Sequence, residues 1–114
     1  MIAQIRPAQI AAWLQSERSD AAEPYVLDVR EPHEVAFASV KAEGFKVLTI
    51  PMGTIPARLA ELDPAQPVAC LCHHGARSMQ VANFLASHGF DTVVNIAGGI
   101  DAWSAEVDPT VPRY

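Results

Sequence analysis

Apolar and polar positions alternate in blocks along the chain, and the blocks change period. Short apolar runs at Ile2–Ile5, Tyr25–Val29, Val47–Ile50, 67–72 and Thr92–Ile96 read as five strands. Between them the spacing becomes helical. Pro7 suits a first helical position, although Arg6 is a poor side-chain cap, and Ile10, Trp13 and Leu14 follow at i, i+3 and i+4. Glu31–Val40 is weakly helical, with Val35 and Phe37 apolar. Ile55, Leu59 and Leu62 form a second stripe with Pro56 in its first turn, and Asp63-Pro64 stops it. Val81, Ala82, Phe84 and Leu85 make the buried side of a helix starting near Ser78, closed by Gly89 as its C′ residue. Gly98-Gly99 is a tight turn before a short helix over Ile100–Trp103. Residues 16–24 and 41–46 are polar loops, and 107–114 is an extended tail with two prolines.

Strands of four to six residues alternating with helices, several of them apolar on both faces, specify an α/β fold: a mostly parallel sheet covered on both sides, in three layers, α/β/α. Ligands in such sheets bind beyond the carboxyl ends of the strands. Cys72 closes the fourth strand and Asp28-Val29-Arg30 the second, so both are expected on one rim. The 114 residues suit one domain, 1–114, and are too few for two. No apolar run approaches the roughly 18 residues of a membrane span. The first residues lack a basic segment followed by an apolar one, which predicts no secretory leader and a cytoplasmic location.

Composition changes this picture little. The net charge is −5, and the eight Lys and Arg are dispersed, which argues against nucleic acid or an anionic membrane as partner. The two cysteines, Cys70 and Cys72, lie too close along one strand for an unstrained disulfide.

The chemistry concentrates in Val68-Ala69-Cys70-Leu71-Cys72-His73-His74-Gly75-Ala76-Arg77-Ser78. A buried strand ends in a thiol with a helix N-terminus directly behind it. Turn N–H groups and the positive end of the helix dipole favour an anion there, which makes the cysteine a thiolate nucleophile. Cys70, inside the apolar strand, reads as core. Zinc on Cys-x-Cys-His-His is disfavoured, because four ligands within five residues converge poorly on a tetrahedron; no metal is expected. His73 and His74 then shape the pocket, while His33 and His88 are surface residues. Arg77 either binds an anionic donor or braces the loop against an acid. Asp28 reads as an ion-pair partner or cap, and Arg30 as a substrate contact. Trp13 and Trp103 are packing residues.

These residues resemble the single-domain rhodanese family of sulfurtransferases. The resemblance rests on Asp28-Val29-Arg30-Glu31, Ile50-Pro51, Cys72-His73-His74-Gly75-Ala76-Arg77-Ser78 and Asn95-Ile96-Ala97-Gly98-Gly99-Ile100-Asp101-Ala102-Trp103, in the family's order and spacing. One departure is the stretch Phe37–Lys46, which lacks the Gly-His-Ile-Pro-Gly-Ala segment many members carry. The resemblance implies a five-stranded parallel sheet of order 1-5-4-2-3 and a ping-pong reaction without a cofactor. Cys72 would take a sulfane sulfur from a small donor such as thiosulfate, hold it as a persulfide and pass it to cyanide or a thiol. His73, His74, Gly75, Ala76, Arg77, Ser78 and Arg30 would bind substrate, with Cys72 catalytic.

Two rivals follow from the same loop. A sulfur-carrier or regulatory module would act with a protein sulfur acceptor as partner. A cysteine-dependent phosphatase or arsenate reductase would need a wider cradle: Cys72 and Arg77 enclose four residues, where the phosphatase pattern has five. No loop aspartate serves as general acid either.

Overall fold

The computed structural model of the chain describes residues 2–20 and 22–114. Five strands, β1 (Ala3–Ile5), β2 (Tyr25–Asp28), β3 (Lys46–Thr49), β4 (Val68–Leu71) and β5 (Val93–Ile96), form one parallel sheet of order β1-β5-β4-β2-β3. The helices are α1 (Ile10–Glu17), α2 (Pro32–Phe37), α3 (Ile55–Arg58), α4 (Ala76–Ser87) and α5 (Gly99–Glu106). The five-stranded parallel sheet and its order agree with the expectation.

Side chains of the central strands alternate between two cores, because neighbouring strand residues point to opposite faces. Tyr25, Leu27, Val68 and Cys70 meet Val81 and Leu85 of α4 and Ile55 of α3. Val26, Ala69 and Leu71 meet Ile10 and Leu14 of α1 and Ile100 and Trp103 of α5. All four residues of β2 and of β4 are buried, as strands covered on both faces must be.

Several boundaries differ from the sequence reading. Pro7–Gln9 forms a 3₁₀ turn before α1, so the α-helix itself begins at Ile10. Gln9 accepts the Arg6 backbone N–H and supplies the capping that the Arg6 side chain does not. The stripe of Ile55, Leu59 and Leu62 is broken into one α-helical turn flanked by 3₁₀ turns at Met52–Thr54 and Leu59–Glu61. α2 is shorter than Glu31–Val40, and Phe37 is exposed. α4 starts at Ala76, two residues before Ser78, and α5 runs three residues past Trp103. The tail is not extended throughout: Val111 N–H closes a turn on the Asp108 carbonyl, and Val111 is buried. Beyond that turn the chain crosses the carboxyl rim of the sheet, where Tyr114 meets α2.

Candidate functional site

Cys72 directly follows β4, and the three residues His73-His74-Gly75 connect it to α4. Gly75 caps that helix with φ +108°, a left-handed conformation that only glycine adopts without strain. This turn aims the Gly75 N–H at the Cys72 Sγ, 3.0 Å away. Met79 N–H makes the first helical bond, to the Gly75 carbonyl. The N–H groups of Ala76, Arg77 and Ser78 therefore lie in the first turn, where the helix offers no acceptor. The Ser78 hydroxyl is 3.3 Å from the same sulfur and fully buried. Cys72 itself is 1% exposed, at the floor of the loop.

The loop is held from three sides. From α5, Ile100 N–H donates to the Cys72 carbonyl (2.9 Å) and Asp101 N–H to that of His73 (3.2 Å). This needs close approach: a Cβ on Gly99 would lie 2.4 Å from both carbonyl oxygens. From α2, the Glu34 carboxylate takes two hydrogen bonds from the Arg77 guanidinium, at 2.7 and 2.8 Å. Those bonds hold the Glu34 carboxyl down at about 2 and raise the Arg77 guanidinium further. From β5, the Asn95 side chain accepts from the Ser78 hydroxyl (2.5 Å) and donates to the Gly75 carbonyl (3.1 Å).

Arg30 is corrected by its placement. It is completely buried, and all five donors are engaged: Asp28 takes Nε and one Nη2 bond, Ala38 the other Nη2 bond, and the Glu34 carbonyl and Tyr114 hydroxyl the Nη1 pair. No donor is left for a substrate. Arg30 is a strut joining the end of β2, the loop after α2 and the tail, with Asp28 as its buried counter-ion. Arg77 directs one bond from each Nη to the Glu34 carboxylate, the contact that the brace reading expects, with about a third of its side chain (32%) in solvent.

His73 and His74 are on the rim, not at the sulfur. The His73 ring stacks 3.8 Å from His74 on one face and 3.8 Å from Tyr114 on the other. Tyr114 also meets Phe37 edge-on, and its hydroxyl donates to Glu34. His73, His74 and Asp101 bring three potential metal-ligand atoms within 4.8 Å. The two imidazoles, however, lie face to face, so their lone pairs run side by side, and Asp101 is held by Arg113 at 3.0 and 3.1 Å. Cys70 is completely buried, and burial pushes its thiol up to about 12, as an inert core thiol requires. A pocket of about 360 Å³ lined by His33, Glu34, Phe37 and Tyr114 opens beside the rim. A larger one, about 710 Å³, lies between α1, α5 and the 41–45 loop, on the other side of the sheet from α4. Its lining includes no residue of the cysteine loop.

Glu34 and Tyr114 escaped the sequence reading, and Asn95 entered it only as the first residue of the Asn95–Trp103 motif, without a role at the sulfur. Asn95 left a trace, as a lone amide in the apolar run Val93–Ile96. Glu34 sits at the third position of α2 and looks like an ordinary capping residue, which it also is. Nothing in the local sequence distinguishes Tyr114.

The rhodanese-like domain family matches residues 8–106. The chain belongs to that family. A chloroplastic rhodanese-like/PpiC domain-containing protein 12 of Arabidopsis thaliana is 48% identical over 94 residues, 81% of this chain but only 31% of that protein's length. The thiosulfate sulfurtransferase GlpE of Actinobacillus pleuropneumoniae serotype 7 is 32% identical over 111 residues, covering 97% of this chain and 94% of its own. A crystal structure of a rhodanese-like domain protein from Staphylococcus aureus superposes with a TM-score of 0.76 at 25% identity, covering 99% of each chain. In this rhodanese-like chain the family motif residues therefore divide in two. Cys72, Gly75 and Ser78 meet at the sulfur, whereas Arg77 and Gly99 hold the loop in shape and Asp28 and Arg30 tie the end of β2 to the loop after α2 and the tail.

Proposed function

We propose that residues 1–114 form one rhodanese-like domain that transfers sulfur through Cys72. The observation that carries this is the Gly75 N–H on Sγ at the N-terminus of a twelve-residue helix. That site favours a sulfur anion over a neutral group. The Cys72 thiolate attacks the sulfane sulfur of thiosulfate, the S–S bond breaks, and sulfite departs with its electron pair. Cys72 is left as a persulfide anion, whose outer sulfur the first-turn N–H groups of Ala76, Arg77 and Ser78 stabilise. Cyanide or a thiolate then attacks that sulfur and returns the Cys72 thiolate. Thiosulfate as donor is supported by the resemblance to GlpE. The two free cysteines suit a reducing compartment such as the cytoplasm.

A second reading, delivery to a protein thiol, draws on the rim. Phe37 is 59% exposed beside Tyr114 and the 360 Å³ pocket, an apolar rim suited to a macromolecular acceptor. Intact mass after incubation with thiosulfate tests both. One added sulfur (about 32 Da), removed by cyanide, absent in Cys72→Ser and retained in Cys70→Ser, is the expected result. An adduct that survives Cys72→Ser overturns the assignment. Loading without steady turnover on small acceptors favours the protein acceptor.

A further inference from the structure

Two residues place a polar hydrogen near the Cys72 sulfur, Gly75 through its N–H and Ser78 through its hydroxyl. One buried carboxamide, that of Asn95, touches both of them. Its orientation is determinate, because the Gly75 carbonyl is an acceptor only. The amide nitrogen must face Gly75, so the oxygen faces Ser78. The Ser78 hydroxyl has a single proton and two claimants: Asn95 Oδ1 at 2.5 Å and Cys72 Sγ at 3.3 Å.

We propose that Asn95 is a positioning residue that holds the Ser78 proton away from the sulfur while Cys72 is a thiol and yields it when an anionic sulfur forms. In the thiol state Ser78 donates to Asn95 and accepts the S–H. In the thiolate or persulfide state the hydroxyl rotates to the sulfur, and Asn95 Oδ1 loses its one hydrogen-bond donor among the described residues. The exchange costs the anion part of the stabilisation that Ser78 supplies. Asn95 thereby sets the balance between a stored thiol and a reactive thiolate. It rests on Cys72 as the nucleophile, and adds to that reading a residue two layers from the sulfur.

Asn95→Leu is the informative variant, since the side chains are nearly isosteric. The Gly75 carbonyl keeps its bond from Met79 N–H, and Gln4 Oε1, the other partner of the amide, belongs to an exposed residue. The Ser78 hydroxyl loses its amide acceptor and turns permanently to sulfur. Other groups around the sulfur stay in place: Arg77 of α4 with Glu34 of α2, the rim imidazoles of His73 and His74, Asp101 of α5, Tyr114 of the tail and the Cys70 thiol of β4.

The test is thiolate ultraviolet absorbance against pH for wild type, Asn95→Leu, Ser78→Ala and the double variant, each less its Cys72→Ser counterpart. Asn95→Leu is expected to move the profile to lower pH by about half to one unit, the difference between a hydrogen bond to an anion and to a neutral group. In the Ser78→Ala background the same substitution should move it by less than about 0.3 unit. An equal shift in both backgrounds, no shift, or a shift to higher pH overturns the proposal. Asn95→Ala serves if circular dichroism shows that leucine is not accommodated. No sulfur donor is used, so failure here is distinct from failure of thiosulfate to load Cys72.

Discussion

Replacing Gly99 with alanine sets the backbone of α5 against the backbone of the cysteine loop. The added Cβ would lie 2.4 Å from the carbonyl oxygens of Cys72 and His73 and 2.6 Å from the His73 carbonyl carbon, inside the 3.0 Å that Cβ atoms keep. None of these atoms is the end of a flexible side chain, so the helix start or the loop must move. The φ of +58° adds about 1 kcal/mol for a residue with a Cβ. Separation also weakens the bonds from Ile100 N–H and Asp101 N–H, about 1 kcal/mol each. The expected loss is about 3 kcal/mol in chemical denaturation. Because the loop carries the proposed nucleophile, kcat/KM for sulfur transfer should also fall on the order of a hundredfold. Gly89→Ala is the control, since Gly89 has φ +90° but nothing within 4 Å of its Cβ. It should cost about 1 kcal/mol and leave turnover near wild type. If Gly99→Ala is no worse than Gly89→Ala in stability and turns over normally, the close approach of α5 does not shape the loop.

Two further expectations concern the braces. Glu34→Gln leaves Arg77 without a carboxylate. The Glu34 carboxyl is held at about 2 in the fold against 4.5 ordinarily, so its contribution is complete above pH 4.5 and disappears as pH falls toward 2. Wild type should exceed the variant by about 1–2 kcal/mol at neutral pH, allowing for solvent at Arg77, and the difference should close over that acid window; a gap that persists at the acid end refutes the clamp. Arg30→Met strands the buried Asp28 carboxylate, and about 3–5 kcal/mol of stability should be lost. The milder Arg30→Lys should lower the denaturation midpoint while KM for thiosulfate stays within about twofold. A raised KM at unchanged stability would return Arg30 to the substrate.

What the chain determines locally it displays openly. Apolar runs buried on both faces, such as Tyr25–Leu27 and Val68–Leu71, can only be central strands of a covered parallel sheet, and the cysteine ends one of them. The glycine at 75 and the apolar stripe of α4 place a helix N-terminus behind the sulfur, because both signals act within a few residues. Side-chain partnerships are another matter. Arg30 follows a strand end facing the site rim, and only the packing of the 38–40 loop and Tyr114 over it turns a substrate-binding candidate into a saturated strut. Glu34 and Arg77 are 43 residues apart, and Asn95 and Ser78 are 17 apart. Their union depends on how α2, α4 and β5 converge, a long-range outcome of packing that no local periodicity encodes. The cysteine and its helix N-terminus are thus legible along the chain, while the groups that surround the sulfur come together only in the folded sheet.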